Sequence, residues 1–294
     1  MNEPAALDWE LLRRFPLPHH PDDGDKEDRG RALVVAGSRE LPGAALLAGV
    51  AALRAGAGKL QIATAESVAA AIGVAVPEAR VIPHAETVQG CIAEDAVEPL
   101  LKWAAGAQAV VIGCGLQQGP PLDALIDALL GCGIEVPLVL DAAVLGSLAQ
   151  RAEALRAWTG GAVVLPHAGE MAKLLGCGKE QVTADPLAAA RQAAEMLGAV
   201  TVLKGEYSHV VAPDGRAFRY KGGGVGLATS GSGDTLAGIV GGLCARGADP
   251  LTAALWGVYL HGEVGRRLTI EVGRVGFLAR EIIDLIPMLM EGRA

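Results

Sequence analysis

The sequence predicts an α/β protein built on one doubly wound, mostly parallel sheet. Short β-branched runs alternate with Ala/Leu-rich stretches along most of the chain. Each run is nearly continuous in hydrophobicity rather than alternating, as in strands buried on both faces, and each ends in Gly, Asp, Pro or Lys. Repeated strand–helix alternation of this kind closes into a single sheet covered on both sides.

The strands are expected at residues 32–36, 59–64, 109–113, 137–141, 162–166 and 200–204. Helices are expected between them at 44–55, 121–130, 170–175 and 187–197, the last opened by Asp185-Pro186 as cap and first-turn pair. Residues 208–212 and 216–221, joined through Pro213-Asp214-Gly215, read as a β-hairpin. From Gly231 onward the pattern is helical, at 235–246, 250–268 and 275–290. The Pro-, His- and Asp-rich composition before residue 30 predicts an exposed lead-in over 1–29 and a single domain over 30–294.

The net charge of −8, with no basic run, speaks against nucleic acid as a partner. The longest uncharged stretch, 103–122, is broken by Gly, Gln and two prolines, so no membrane span is expected. Five cysteines without a C-x-x-C pair, and no signal-peptide pattern at the start, fit a reducing cytoplasm.

In a doubly wound sheet, ligands collect beyond the carboxyl ends of the strands. The strongest segment is Gly231-Ser232-Gly233-Asp234, a glycine-rich turn running into an apolar helix, suited to cradling phosphate. Asp234 inside an anion cradle reads as a general base for a substrate hydroxyl, or else as a first-turn acid complementing the helix dipole. Neither a Walker A nor a dinucleotide fingerprint fits: Gly58-Lys59 is followed by Leu60, and Gly113-Cys114-Gly115 lacks the third glycine in register. His167 and Glu170 stand where a strand gives way to a helix. They could face one pocket, Glu170 acting through water on Mg²⁺, or they could form a helix-start cluster. Asp141, at another strand end, could organise Mg²⁺ or a water, and Lys204-Gly205 could meet phosphate. His261 reads as a core or interface residue.

The ordered motifs Ala36-Gly37-Ser38 with Gly43-Ala44, Gly56-Ala57-Gly58, Val111-Ile112-Gly113-Cys114-Gly115-Leu116, Val139-Leu140-Asp141-Ala142, Pro166-His167-Ala168-Gly169-Glu170, Leu203-Lys204-Gly205 and Gly231-Ser232-Gly233-Asp234 resemble one family. From about residue 30 to about 287 the chain is similar to the ADP/ATP-dependent NAD(P)H-hydrate dehydratases of the ribokinase-like superfamily. The resemblance implies a three-layer α/β/α sandwich and a repair enzyme that dehydrates the 6S hydrates of NADH and NADPH. ADP would give AMP and phosphate, its terminal phosphoryl group passing to the hydrate hydroxyl before elimination. By the same resemblance, Ala44, Gly115, His167 and Asp234 contact the hydrate, with Asp234 as base. Lys204, Gly205, Glu206, Tyr207, Ser208 and Gly233 contact ADP or ATP, and the amides of Gly231, Ser232 and Gly233 form the anion hole. Mg²⁺, a cytoplasmic homotetramer and a separate epimerase partner complete the expectation, since the epimerase domain often fused ahead is not seen. Cys114 stands where the family commonly has Pro, and Leu165 and Ala168 where it has Thr and Pro. Two other readings remain: a hydroxymethyl kinase acting on a pyrimidine or thiazole vitamin precursor, disfavoured by the His167–Glu170 segment, and a nucleotide-binding scaffold without turnover.

Overall fold

The computed structural model describes residues 3–292. In chain order the first half runs β1 (Ala5–Ala6), α1 (Trp9–Leu12), β2 (Arg31–Val35), α2 (Pro42–Arg54), β3 (Lys59–Ala65), α3 (Glu66–Ala75), β4 (Ala79–His84), α4 (Val97–Ala105), β5 (Ala109–Ile112), α5 (Pro120–Gly131) and β6 (Leu138–Leu140). There follow α6 (Ala152–Arg156), β7 (Ala162–Val164), α7 (Ala168–Leu175), α8 (Lys179–Ala184), α9 (Pro186–Leu197), β8 (Val200–Leu203), β9 (Tyr207–Val211), β10 (Ala217–Lys221), α10 (Ser232–Ala245), α11 (Pro250–Glu271) and α12 (Ala279–Met290).

One sheet takes all ten strands in the order β1-β10-β9-β8-β7-β6-β5-β2-β3-β4. The run from β4 to β8 is parallel throughout, and β9 is antiparallel to both β8 and β10. The two-residue period of each strand divides the interior into two cores. Val34, Val111, Val139 and Val163 pack on one face with α2, α10, α11 and α12. Leu33, Val110, Leu138 and Val164 pack on the other with α4, α5, α7 and α9. That is the three-layer α/β/α arrangement. On the first face α10 lies so close to α2 that a Cβ on Gly238 or Gly242 would meet the Ala48 or Ala52 carbonyl at 2.1 or 2.2 Å. Close approach fixes where the N-terminus of α10 points.

Three expectations need correction. Residues 1–29 are not uniformly an exposed lead-in. β1 pairs in parallel with β10, Leu7 and Leu12 are buried, and the Trp256 indole donates to the Phe15 carbonyl at 2.7 Å. Residues 21–29 do lie exposed. β4 was not expected as a strand, because it is an edge strand carrying exposed Arg80 and Pro83 and so lacks a continuous apolar run. The last helix begins at Ala279 rather than 275, and the one before it runs on to Glu271. Among the described residues no helix is long and apolar enough to cross a membrane.

Candidate active site

The loops after β2, β5, β6, β7 and β8 meet the first turns of α2, α7 and α10. The Gly37 amide donates to the Cys114 carbonyl at 2.8 Å, joining the loops after β2 and β5. A Cβ on Gly115 would sit 2.6 Å from the Ala44 Cβ and 2.8 Å from the Leu41 carbonyl, so these two small residues share one patch of wall. Beyond Gly115 the chain lines an apolar cavity of about 280 Å³ with Cys91, Leu116, Gln117, Pro120 and Leu125.

Asp141 follows β6, and its side chain is 3% exposed. It accepts from the Ala142 amide at 2.8 Å and from Lys204 Nζ at 2.8 Å. Ala142 has φ +50°, the one non-glycine residue with positive φ among those described, at a backbone cost of about 1–2 kcal/mol. Lys204 directly follows β8, and its amide donates to the Pro166 carbonyl at 2.9 Å, drawing the loop after β7 alongside. Burial opposes the Lys204 charge, but the Asp141 and Glu170 carboxylates outweigh it and hold its pKa above the usual lysine value.

Gly231 opens α10 at φ +87° with no side-chain cap, leaving first-turn amides without intrahelical partners. A Cβ on Gly233 would lie 3.5 Å from Lys204 Nζ and 3.6 Å from Asp141 Oδ2. The open helix end therefore faces a cation and a carboxylate together. Asp234 sits one residue on. Burial and the neighbouring Asp141 charge raise its pKa, and the Cys114 thiol and Lys204 pull the other way. A raised carboxylate pKa suits a proton acceptor at this place better than a solvated one.

α7 begins differently. His167 Nδ1 accepts from the amides of Gly169 and Glu170 at 3.0 and 3.2 Å, and Glu170 Oε2 accepts from the His167 amide at 2.8 Å. An Nδ1 that accepts carries no proton, so the ring N–H is on Nε2, 3.6 Å from Glu170 Oε2 on a side chain 61% exposed. Both residues thus cap their own helix, and each keeps one group for a ligand.

The structure brings Ala44, Gly115, Asp141, Lys204, Gly231, Ser232, Gly233 and Asp234 into one constellation, with His167 and Glu170 beside it through Lys204. Gly205 and Glu206 are exposed, and Tyr207 and Ser208 lead into β9. The Tyr207 ring packs under the Arg219 and Lys221 cations. Two participants escaped the sequence reading. His261 is the packed residue the sequence suggests, and its Nε2 also lies 2.9 Å from Ser232 Oγ and 3.1 Å from the Ser232 carbonyl. Burial lowers its pKa to about 4, so it supports the α10 turn as a neutral imidazole. Cys114 lies in contact with Asp234, and no sequence signal pointed from one to the other.

Among the described residues no group of three or more His, Cys, Asp or Glu could hold a metal ion. Asp141 Oδ2 and the second oxygen of Glu170 fit a Mg²⁺ that keeps its waters and is held chiefly by phosphate oxygens.

The sequence model of the NAD(P)H-hydrate dehydratase family matches residues 32–288. The chain belongs to that family. A relative from Xanthomonas campestris pv. campestris, named ADP-dependent (S)-NAD(P)H-hydrate dehydratase, is 47% identical over 95% of this chain and 94% of its own length. A bifunctional NAD(P)H-hydrate repair enzyme of Moorella thermoacetica is 37% identical over 94% of this chain, which spans 52% of that longer protein. The solved structure of the ADP/ATP-dependent NAD(P)H-hydrate dehydratase from Bacillus subtilis, co-crystallised with ATP/Mg²⁺, superposes with a TM-score of 0.82 at 32% identity, covering 98% of each chain. The family's ribokinase-like fold is the one observed here.

Proposed function

We propose that this chain is a hydro-lyase that dehydrates the 6S hydrates of NADH and NADPH at the expense of ADP, giving AMP and phosphate. The observation that carries the reading is the uncapped N-terminus of α10, which faces the Lys204–Asp141 pair with buried Asp234 one residue further on. Family membership and the names of its relatives support the substrate class.

In this reading the terminal phosphate of the nucleotide lies against the amides of Gly231, Ser232 and Gly233, with the Lys204 ammonium on its flank. Gly205, Glu206, Tyr207 and Ser208 carry the rest of the nucleotide. The hydrate lies along Ala44 and Gly115, with the His167 Nε2–H as a donor to it. Asp234 accepts the hydroxyl proton as that oxygen attacks the terminal phosphorus, and AMP departs. The ring nitrogen then expels the phosphate from the ring carbon that bore the hydroxyl, and the adjacent ring carbon loses a proton to solvent, which forms the ring double bond of the dihydronicotinamide. Mg²⁺, when bound with the nucleotide, neutralises phosphate charge next to Asp141 and Glu170.

The decisive experiment incubates purified protein with the 6S hydrate of NADH, Mg²⁺ and either ADP or ATP, following recovery of reduced-nicotinamide absorbance. Nucleotide-dependent recovery is expected, faster with ADP. No recovery with nucleotide still bound would move the reading to the hydroxymethyl kinase. Exposed Ile270, Val272, Val275 and Leu278 near the junction of α11 and α12 support self-association, and a tetramer is the state we propose. Light scattering that gives a monomer removes that part. A cytoplasmic setting and a separate epimerase supplying the 6S form complete the proposal.

A further inference from the structure

A second concentration of charge lies at the far end of the sheet. Arg29 precedes β2, and Arg246 caps the C-terminus of α10, the helix whose first turn holds Asp234. Twelve helical residues at about 1.5 Å each separate those two ends by roughly 18 Å. There Arg13, Arg29, Arg54, Arg246, His19 and His20 line a cavity of about 750 Å³. In a chain of net charge −8 this local reversal of sign is unexpected. Of the nearby acids, Glu291 lines the same cavity and Asp284 is paired with Arg54 at 3.1 Å.

Arg246 decides the reading. Its Nε contacts His20 Nε2 at 3.3 Å, its Nη2 donates to the Pro18 carbonyl at 3.3 Å, and its Nη1 reaches the Ala55 carbonyl at 3.5 Å and the Met290 sulfur at 3.3 Å. These partners are neutral. With the carbonyl end of α10 they orient the guanidinium and offset part of its charge, but none of them is an anion, and a half-buried cation gains further when one joins it. The charge that bears on Arg246 is that of Arg29, and the foremost charges that bear on His20 are those of Arg246 and Arg29. Beside them Trp9 is 41% exposed and set edge-on to Trp256 at 5.6 Å between ring centroids, which leaves it as an aromatic wall of the cavity.

We infer that this cavity is a second, non-catalytic binding site for a phosphate-bearing small molecule, whose oxyanions take Arg246, Arg29 and Arg13. Arg forks suit phosphate oxygens. Inorganic pyrophosphate and a nucleoside diphosphate share that chemistry, and a base stacked on Trp9 would distinguish the second.

The test titrates the full-length protein with inorganic pyrophosphate, and separately with ADP, by calorimetry. It compares wild type, Gly233→Ala at the catalytic end, the exposed pair Arg13→Glu with Arg29→Glu, and Arg246→Gln, with thermal unfolding as the folding control. Pyrophosphate binding that survives Gly233→Ala and weakens by about tenfold or more in the Arg13/Arg29 pair is expected. ADP binding tighter than pyrophosphate to Gly233→Ala would name a nucleotide as the ligand, and equal binding would name the diphosphate group alone. Binding unaffected by both cavity variants, or abolished by Gly233→Ala alone, overturns the site. The Arg13/Arg29 pair should keep its dehydratase rate at saturating substrate, so failure of this site and failure of the catalytic reading are separately visible.

Discussion

Two helix N-termini flank the Lys204–Asp141 pair, and they are finished in opposite ways. Each has glycine at its second position and an acid at its third: Gly169 and Glu170 in α7, Gly233 and Asp234 in α10. In α7 the longer Glu side chain reaches back to the N-cap amide and the His167 ring covers two more, so the helix satisfies its own donors. In α10 the N-cap is Gly231, which has no side chain to offer, and the shorter Asp234 lies among Cys114, Asp141 and Lys204 instead. The same pattern thus gives one closed helix end and one open one. An anion has donors to gain only at the open end.

The largest way to break this contrast is Asp234→Asn. It should lower turnover about 10³-fold or more while nucleotide affinity stays within about tenfold, as steady-state kinetics and nucleotide titration would measure. Equal losses in both would make Asp234 a binding residue and not a base. The glycines of the same turn sharpen it further. A Cβ on Gly233 meets only ordinary contacts at 3.5 and 3.6 Å in the free protein, but it would occupy the approach of a phosphate. Gly233→Ala should therefore weaken nucleotide binding about 10- to 100-fold with little change in melting temperature. Gly231→Ala should do the reverse in part. With φ +87° and Leu47 Cδ1 at 2.4 Å, it should lose about 1–3 kcal/mol of stability, read by denaturant unfolding.

Which of these features could be read in the sequence follows from how local each one is. The central strands were legible because burial on both faces writes an unbroken apolar run, as in Arg31–Val35 and Ala109–Ile112. β4 was not, since an edge strand can carry Arg80, which lies over the Trp103 ring, and Pro83 without penalty. β1 and α1 were hidden because Leu7 and Leu12 are apolar residues set among charges, and their burial depends on β10 and the C-terminal helices. At the site, Gly231 to Asp234 announced itself through glycine and acid in sequence. His261 did not, because its link to Ser232 spans 29 residues and exists only through the packing of α10 on α11. Ala142 carries backbone strain, which leaves no mark in residue type. The cations of the second cavity are scattered from Arg13 to Arg246 and become a cluster only when folded.

A smaller effect separates the two duties of Glu170. Gln can close a capping box as Glu does, but it carries no charge. Glu170→Gln should keep stability within about 0.5 kcal/mol and raise the Mg²⁺ concentration for half-maximal activity about tenfold, in a metal titration of rate. Glu170→Ala should show the same metal effect and also lose about 1 kcal/mol, visible as a lower melting temperature. If Glu170→Gln leaves the Mg²⁺ titration untouched, Glu170 is a cap alone.

The finest test is the pH dependence of kcat/KM, which reports the free enzyme's essential base. A base must be unprotonated, so activity is present above the Asp234 pKa and is lost as pH falls through it. Because burial and Asp141 raise that pKa, the acid limb should lie above the ordinary aspartate value. Asp141→Asn removes a like charge and leaves Lys204 without its partner carboxylate, and both changes favour ionised Asp234. The limb should move to lower pH even though the absolute rate falls. Cys114→Ala removes a contact that favours the carboxylate, so its limb should move to higher pH. Opposite displacements from two neighbours cannot arise from a general loosening of the site, which would move both limbs the same way. A limb that stays put in both variants would mean that the titrating base of the open helix end is not Asp234.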